Sequence, residues 1–221
     1  MTTTTFQRAR KPEEVSIRRQ AILEAAAALF DVYGPHGAGL NAIAARAGFT
    51  KSNIYRYFES REEVLIALLL DDLEIFLPDF EIAITMCPDG NTAMLARAAT
   101  RSFLEHPRLP RLLAILSTTL EQNVSVETLI TLKRAMNTQL TRIAFVLHDK
   151  LPGTQLEDCS WLAHTLITVI AGMWPAAYPS DAAAEVLALA EFAHLKPMIE
   201  RDLERAILAL LRSIDSRWIA V

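Results

Sequence analysis

Apolar residues recur at helical spacing through most of this 221-residue chain, and short groups rich in glycine or proline separate one apolar pattern from the next. Few runs alternate Val, Ile or Thr with polar residues, so strand signals are nearly absent. The pattern therefore predicts an all-α protein of about nine to ten helices. We expect helices at about residues 12–33, 40–47, 51–58, 60–77, 91–105, 110–122, 125–150, 154–177, 181–190 and 196–217.

The predicted helices fall into two groups. Residues 1–11 are rich in threonine and then basic, and we expect a flexible tail there. We expect the three helices of residues 12–59 to form one domain and the helices of residues 60–221 to form a second, larger one. Ser60-Arg61-Glu62-Glu63 matches a capping box that opens the next helix, which Pro78 is expected to bend or end. Thr154-Gln155-Leu156-Glu157 is a second match to the same pattern.

Charge is distributed unevenly along the chain. Residues 1–61 contain nine Lys or Arg against five Asp or Glu, a net charge of +4, so the remaining 160 residues carry –8 of the total of –4. A basic N-terminal part on an acidic body is typical of a nucleic-acid-binding protein with a second module.

Several classes of protein are not favoured. The chain lacks the apolar run of a membrane helix and the apolar segment of a signal peptide, so we expect a cytoplasmic protein with no membrane contact. Cys87 and Cys159 fall in no CxxC pattern, and neither a metal site nor a cofactor is expected. The five histidines are scattered and no HExxH, GxSxG or Gly-rich phosphate loop is present, so we expect no catalytic residues and no enzyme activity.

The stretch from Leu40 to Glu59 has the pattern of a helix-turn-helix. Two short helices that meet at a three-residue turn need a residue without a side chain where their backbones nearly touch, and Gly48 suits that position. Ala44 suits the point where the helices cross. Apolar residues are available for the inward faces: Ile43, Ala47, Phe49, Ile54 and Phe58. The second helix of such a motif enters the major groove of DNA.

The outward face of the second helix carries the chemistry for DNA. Thr50, Lys51, Ser52 and Asn53 lie at its N-terminus, where free N–H groups and the helix dipole favour a phosphate. Hydroxyl, ammonium and amide groups bind phosphate oxygens or base edges. Thr50 is also expected to cap the helix, and this role is compatible with a phosphate contact.

Beyond this pattern, IRRQAILEAAAALFDVYG followed by LNAIAARAGFTKSNIYRYFESREEVL resembles the DNA-binding domain of the TetR family of bacterial transcriptional regulators, over about Ile17 to Leu68. The resemblance implies that DNA contacts come from this second helix, from the residues after it and from two further arginines. These residues are Arg18, Arg46, Thr50, Lys51, Ser52, Asn53, Tyr55, Arg56, Tyr57 and Arg61. At least one of the two tyrosines is expected to reach a phosphate; alternatively, both only wedge the helix against its scaffold.

The resemblance also implies a C-terminal helical domain that binds a small effector and dimerises through its last two long helices, here about 154–177 and 196–217. A homodimer would bind a palindrome-like operator in double-stranded DNA, because one short reading helix makes too few base contacts. A repressor released by its effector is the expected function. A transcriptional activator of the same family is the alternative that the sequence leaves open.

The effector site is harder to place from sequence. We expect a hydrophobic or aromatic effector, and the candidate lining residues are polar or aromatic side chains of the C-terminal helices. They are Phe103, His106, Gln139, Trp161, His164, Trp174 and Tyr178. A rival from another class is a helical protein-interaction module without DNA binding, but it predicts a neutral or acidic outer face on the second helix. Lys51, Arg56 and Arg61 disagree with that prediction.

Overall fold

The computed structural model describes residues 12–214, and this part of the chain forms ten α-helices and two short 3₁₀ turns with no β-strand. The all-α prediction is confirmed. The tail predicted at residues 1–11 and residues 215–217 of the last predicted helix lie outside the described residues. The helices are α1 (Pro12–Gly37), α2 (Leu40–Arg46), α3 (Lys51–Ile54), α4 (Arg61–Thr85), α5 (Thr92–Glu105), α6 (Arg108–Ala114), α7 (Val126–Lys150), α8 (Leu156–Ala177), α9 (Asp181–Leu187) and α10 (Ile199–Ile214), and the 3₁₀ turns are Leu120–Asn123 and Ala193–Leu195.

Pro78 was expected to bend or end helix α4, but the helix does not end there and continues to Thr85. Phe76, Phe80 and Ile84 repeat at four-residue spacing on one face of this helix and are all buried. Burial of this continuous stripe offsets the one backbone hydrogen bond that a proline within a helix removes. The predicted break of α1 after Tyr33 is present at Gly34, whose φ of 68° and ψ of –165° are not helical, and one further turn continues to Gly37.

Three helix starts and one helix end also differ from prediction. Helix α6 begins at Arg108 and ends at Ala114 instead of covering 110–122, and a 3₁₀ turn that buries Leu120 follows it. The second capping box does not form, because the Thr154 hydroxyl donates to the Leu151 carbonyl (2.8 Å), and α8 begins at Leu156 with Gln155 as its cap. Helix α10 begins at Ile199 rather than 196, since the Asp202 carboxylate accepts a hydrogen bond from the Met198 N–H (2.8 Å).

The chain divides into two compact units between Leu68 and Leu69, whereas the boundary expected from sequence was at 59/60. The first unit contains α1, α2, α3 and the first two turns of α4. Its core is made of side chains from all four elements, and α2 contacts both α1 and α3. The core residues include Ile22, Ala26, Phe30, Ile43, Ile54, Phe58, Val64 and Leu65.

The second unit is organised around α8, which packs against α6, α7 and α10, while α10 also packs against α5. A cluster of aromatic rings fills another part of its core. The Phe76 ring centroid lies 4.6 Å from that of Phe103 and 5.4 Å from that of Phe80, and the His106 ring meets Phe76 edge-on at 5.5 Å. Such tilted and edge-on contacts stabilise a core beyond the area they bury.

Both cysteines are free and buried in the second unit. Burial raises the pKa of the Cys87 thiol and of the Cys159 thiol, which keeps both protonated at neutral pH.

Within residues 12–214, no cluster of three His, Cys, Asp or Glu side chains is arranged to hold a metal ion. None of the helices in the same range combines the length and the apolar run that crossing a bilayer requires.

One ion pair in the second unit is largely buried. The Asp72 carboxylate on α4 accepts hydrogen bonds from Nε (2.8 Å) and Nη2 (2.6 Å) of Arg108, the first residue of α6. The Asp72 side chain is 7% exposed and that of Arg108 is 25% exposed. Bidentate pairs of this kind are strong and set geometry, because two parallel bonds fix the guanidinium plane. This pair therefore joins the middle of α4 to the start of α6.

We predict that Asp72→Ala lowers the free energy of unfolding by about 2 kcal/mol, because it removes two hydrogen bonds and an opposite charge from a poorly hydrated guanidinium. Glu81→Ala is the matched control, since Glu81 accepts the same two-bond contact from Arg142 (3.0 and 2.7 Å) with both side chains more exposed, at 29% and 46%. Exposed pairs contribute less than about 1 kcal/mol. Urea unfolding at one fixed protein concentration measures both values, and equal losses for the two variants would contradict the assignment.

Candidate nucleic-acid interface

A sharp turn between α2 and α3 sets the direction of the second helix. Gly48 in this turn has a φ of +71°, which L side chains rarely adopt. The Phe49 N–H donates to the Ala44 carbonyl (2.8 Å), and Ala44 is buried. The close approach of two backbones that was expected to require glycine at position 48 is not present. A Cβ built at Gly48 would have no heavy atom within 4 Å outside its two chain neighbours, so the positive φ is what requires glycine.

Helix α3 is shorter than predicted and spans Lys51–Ile54 rather than residues 51–58. The chain continues after it as hydrogen-bonded turns, in which the Ile54 carbonyl accepts from the N–H of Tyr57 (2.8 Å) and of Phe58 (3.1 Å). A helix of four residues has too few internal hydrogen bonds to persist alone. Full burial of Ile54 and near-full burial of Phe58 hold this segment on the core of the first unit.

The polar residues of the segment lie on its other side. Thr50, Lys51, Ser52, Tyr55 and Arg56 are exposed, while Asn53 and Tyr57 are half-buried. The Thr50 hydroxyl accepts a hydrogen bond from the Asn53 N–H (3.3 Å), which confirms that Thr50 caps α3. A hydroxyl that accepts one bond still has its own hydrogen to donate, so this cap remains able to bind a phosphate oxygen.

The two tyrosines differ in exposure. Tyr55 is 50% exposed, and the Lys51 ammonium lies 5.9 Å from the centre of its ring, within the range of a cation–π contact. Tyr57 is half-buried. Tyr55 therefore lies on the same side of the segment as Lys51 and is more exposed than Tyr57.

The predicted arginine contacts occupy different environments. Arg46 is exposed in the last turn of α2, and Arg18 is half-buried on α1. Arg61 is paired with the neighbouring Glu62, with its Nη2 2.9 Å from the carboxylate oxygen Oε1. Its charge is thus partly neutralised within the protein, and a phosphate would have to compete with Glu62.

Arg19, which was not among the predicted site residues, supports this surface from α1. The Arg19 guanidinium carbon lies 5.2 Å from the centre of the Phe58 ring, so α1 holds the end of the α3 segment by a cation–π contact. Sequence spacing gives no signal for this contact, because the two residues are far apart in the chain.

The first capping box, at the start of α4, forms in part. The Ser60 hydroxyl accepts a hydrogen bond from the Glu63 N–H (3.1 Å), but the Glu63 carboxylate accepts from the N–H of Glu59 instead of that of Ser60.

The seven residues predicted to line an effector pocket are not brought together. Phe103 and His106 belong to the aromatic cluster with Phe76, where His106 Nε2 also lies 3.2 Å from an Asp79 carboxylate oxygen. The Trp174 and Tyr178 rings are 5.2 Å apart at the end of α8. The remaining three lie elsewhere: Trp161 and His164 are exposed on α8, and Gln139 is half-buried on α7.

A groove of about 890 Å³ opens beside Tyr178, at the end of α8. It lies between the end of α8 and the first turns of α10, and Tyr178 is the only one of the seven predicted residues that lines it. Apolar side chains such as Met198 and Leu208 share its walls with Lys196, Arg201 and Arg205. The groove residues on α10 were not predicted, because only the tertiary structure places them beside Tyr178.

Comparison with known families gives two matches that together cover most of the chain. Residues 22–68 match the family described as "Bacterial regulatory proteins, tetR family", and residues 70–216 match the family described as "Tetracyclin repressor-like, C-terminal domain". Over 68 residues the chain is 43% identical to the HTH-type transcriptional regulator RutR of Escherichia coli (strain K12). These residues make up 31% of this chain and 32% of RutR, so the match spans about a third of the length of that relative.

Solved structures show the same fold over nearly the full length. A transcriptional regulator from Rhodococcus sp. Rha1 is similar with a TM-score of 0.57 at 18% identity, over 89% of this chain and 97% of its own. SmeT, the repressor of the Stenotrophomonas maltophilia multidrug efflux pump SmeDEF, is similar with a TM-score of 0.53 at 23% identity, over 92% of this chain and 93% of its own. At these identities the likeness concerns the fold alone.

We predict that Gly48→Ala lowers the free energy of unfolding by about 1 to 2 kcal/mol, because alanine is strained at a φ of +71°. Gly39→Ala is the control: its φ of –78° suits any residue and its Cβ position is also open, so it should lose only about 0.5 kcal/mol, because alanine caps α2 less well than glycine. Thermal and urea unfolding measure both variants. A Gly48→Ala protein as stable as the control would show that the turn has another allowed geometry.

Proposed function

The chain belongs to the TetR family of bacterial regulatory proteins, and we propose that it is a transcriptional regulator that binds DNA through α3 and the turns after it. One observation carries the proposal. The segment from Thr50 to Phe58 buries its apolar residues and exposes its hydroxyl and cationic ones, which is the arrangement that places a short helix in a major groove. Family members of this kind are generally not enzymes. A regulator whose target is chromosomal DNA would act in the cytoplasm.

Different residues would have different roles at the DNA. Lys51, Arg56 and Arg46 are exposed cations suited to phosphates, with Arg18 as a further contact from α1. Ser52 and Asn53 would meet base edges, because an amide can pair bidentately with adenine. The hydroxyls of Thr50 and Tyr55 would donate hydrogen bonds to phosphate oxygens. Tyr57 and Arg61 are the less available of the predicted contacts, being half-buried and, for Arg61, paired with Glu62.

We propose a homodimer through α8 and α10 that binds a palindrome-like operator, with half-sites about 34 to 36 Å apart or a multiple of that distance. Exposed residues on α8 support this proposal. Trp161 is 50% exposed, and His164, Thr168 and Gly172 continue the same exposed side of the helix. A large exposed ring beside small residues suits a packed helix interface between two copies.

We further propose that the regulator is a repressor and that a hydrophobic or aromatic effector releases it from DNA. SmeT, which has the same fold, is a repressor. An effector can release the protein only if it binds the free form more tightly than the DNA-bound form. A transcriptional activator of the same family stays the alternative, and the position of the operator relative to the promoter distinguishes the two.

The proposal is tested by selecting fragments of genomic DNA with the purified full-length protein at modest salt. We expect enrichment of one palindrome-like site, and footprinting then places it relative to the promoter. A site that overlaps the promoter supports repression, and one upstream of it supports activation. Recovery of no enriched sequence would overturn the proposed function.

Two variants of α3 should weaken DNA binding in different ways. Lys51→Ala should reduce affinity for all DNA by a similar factor and lower the slope of log K against log salt by about 1, because a phosphate contact releases one counterion. Asn53→Ala should reduce affinity for the selected site by about 10-fold and hardly change binding to unrelated DNA, as expected for the loss of a base contact worth 1–3 kcal/mol.

Arg134→Ala is the control for both, since Arg134 is an exposed cation on α7 outside this surface. Fluorescence anisotropy with the selected and a scrambled duplex, at several salt concentrations, measures all three variants. The assigned roles are wrong if Lys51→Ala and Asn53→Ala change specific and non-specific binding in the same proportion.

A further inference from the structure

The segment from Asp181 to Leu195, which we call the arm, lies almost entirely at the surface. All of its residues are exposed except Leu187 and Phe192, which are half-buried. Val186, Leu189 and Leu195 are 50%, 54% and 59% exposed. The arm also includes α9, a helix of seven residues, and a helix of that length is marginal in water unless a packed face stabilises it. Such a segment has the properties of one that another surface covers.

The arm is both apolar and acidic. Asp181, Glu185 and Glu191 are its charged residues, and eleven of the other twelve are Ala, Val, Leu or Phe, the last being His194. A complementary surface must therefore be apolar and carry positive charge. Contiguous exposed apolar surface beside charges of one sign is typical of a protein–protein interface.

The groove beside Tyr178 has these properties. Its walls include Tyr178, Met198 and Leu208, and three cations, Lys196, Arg201 and Arg205, line it. Lys196 and Arg205 have no carboxylate within 4 Å among the described residues, whereas Arg201 is bonded to Asp202 (2.8 Å). Of the two carboxylates on the groove, Glu204 lies 3.6 Å from Arg97. The other carboxylate is Glu200, so three cations and two carboxylates give the lining of the groove a net charge of +1.

We propose that the arm of each copy docks into the groove of a second copy, so that one dimer contains two arm–groove contacts. Two complementary surfaces on one chain form two identical contacts about a two-fold axis, which is the usual closed arrangement of a homodimer. The groove is lined by the end of α8, the start of α10 and Ala193 from the last turn of the same copy's arm. Because α8 and α10 are the helices proposed above for dimerisation, the contact made by the rest of the partner's arm extends that interface. The inference rests on the proposed dimer and adds a partner for a segment that the bundle alone leaves uncovered.

The test reverses charges on each surface separately. An arm variant carries Glu185→Lys and Glu191→Lys, and a groove variant carries Lys196→Glu and Arg205→Glu. All four residues are exposed, so folding should be preserved, and circular dichroism checks this. Because each change opposes like charges across both contacts, we expect each variant to dimerise at least about 10-fold more weakly than wild type at low salt. A protein with both pairs of changes should regain wild-type affinity.

Mixing the two single variants distinguishes a contact between copies from one within a copy. In the mixed dimer, one contact joins the reversed arm to the reversed groove, and the other joins the unchanged arm to the unchanged groove. Both are then complementary, so the mixture should dimerise about as tightly as wild type. A contact within one chain would stay repulsive in either copy, and the mixture would remain as weak as the separate variants, which would overturn the proposal.

Wild-type protein in the same sedimentation experiments separates this inference from the proposed function. If wild type is a dimer and the arm and groove variants have its affinity, the arm proposal is wrong and the dimer through α8 and α10 stands. Monomeric wild type at all concentrations would overturn the proposed dimer and the arm contact together. Hydrogen exchange gives a second readout: residues 181–195 should be protected at concentrations where the dimer forms and lose protection on dilution.

Discussion

Burial of Ile54 and Phe58 is the constraint on which the candidate DNA surface depends. Helix α3 has only four residues, and its own hydrogen bonds cannot maintain it. The two side chains are held by a core that α1, α2 and the start of α4 share, and the Arg19 guanidinium over the Phe58 ring adds a contact from α1. Because these inward residues alternate with Lys51, Ser52, Tyr55 and Arg56, fixing one side of the segment orients the other.

Side chains of the first unit cap its own helices. Thr50 satisfies a free N–H of α3 with its own hydroxyl, and Ser60 does the same at the start of α4. One free N–H at the start of each of these helices is therefore satisfied by the cap, and the exposed cations Lys51 and Arg56 remain available to a ligand. Arg61 is the exception, because Glu62 already holds it.

The second unit depends on larger buried surfaces. Helix α8 contacts α6, α7 and α10, and the Phe76, Phe80 and Phe103 rings join α4 to α5. The Asp72–Arg108 pair places the start of α6 on α4 with two hydrogen bonds. Against this dense packing, the exposed segment from Asp181 to Leu195 stands out, since its apolar composition resembles a core and its position is at the surface.

The sequence by itself determined the helical class, the helix-turn-helix and the division of the α3 segment into apolar and polar residues, because these follow from local periodicity, from capping residues and from glycine at a turn. It did not determine where α4 and α6 end. The Phe76, Phe80 and Ile84 stripe carries α4 past Pro78, and that stripe stabilises the helix only through burial by distant residues. Nor could it assemble an effector site, since the seven predicted residues lie in separate places and the groove brings Tyr178 together with residues of α10. Local chemistry specifies an element and its polar face, whereas a cavity or a long-range ion pair exists only after the helices pack and bring distant side chains within a few ångströms of each other.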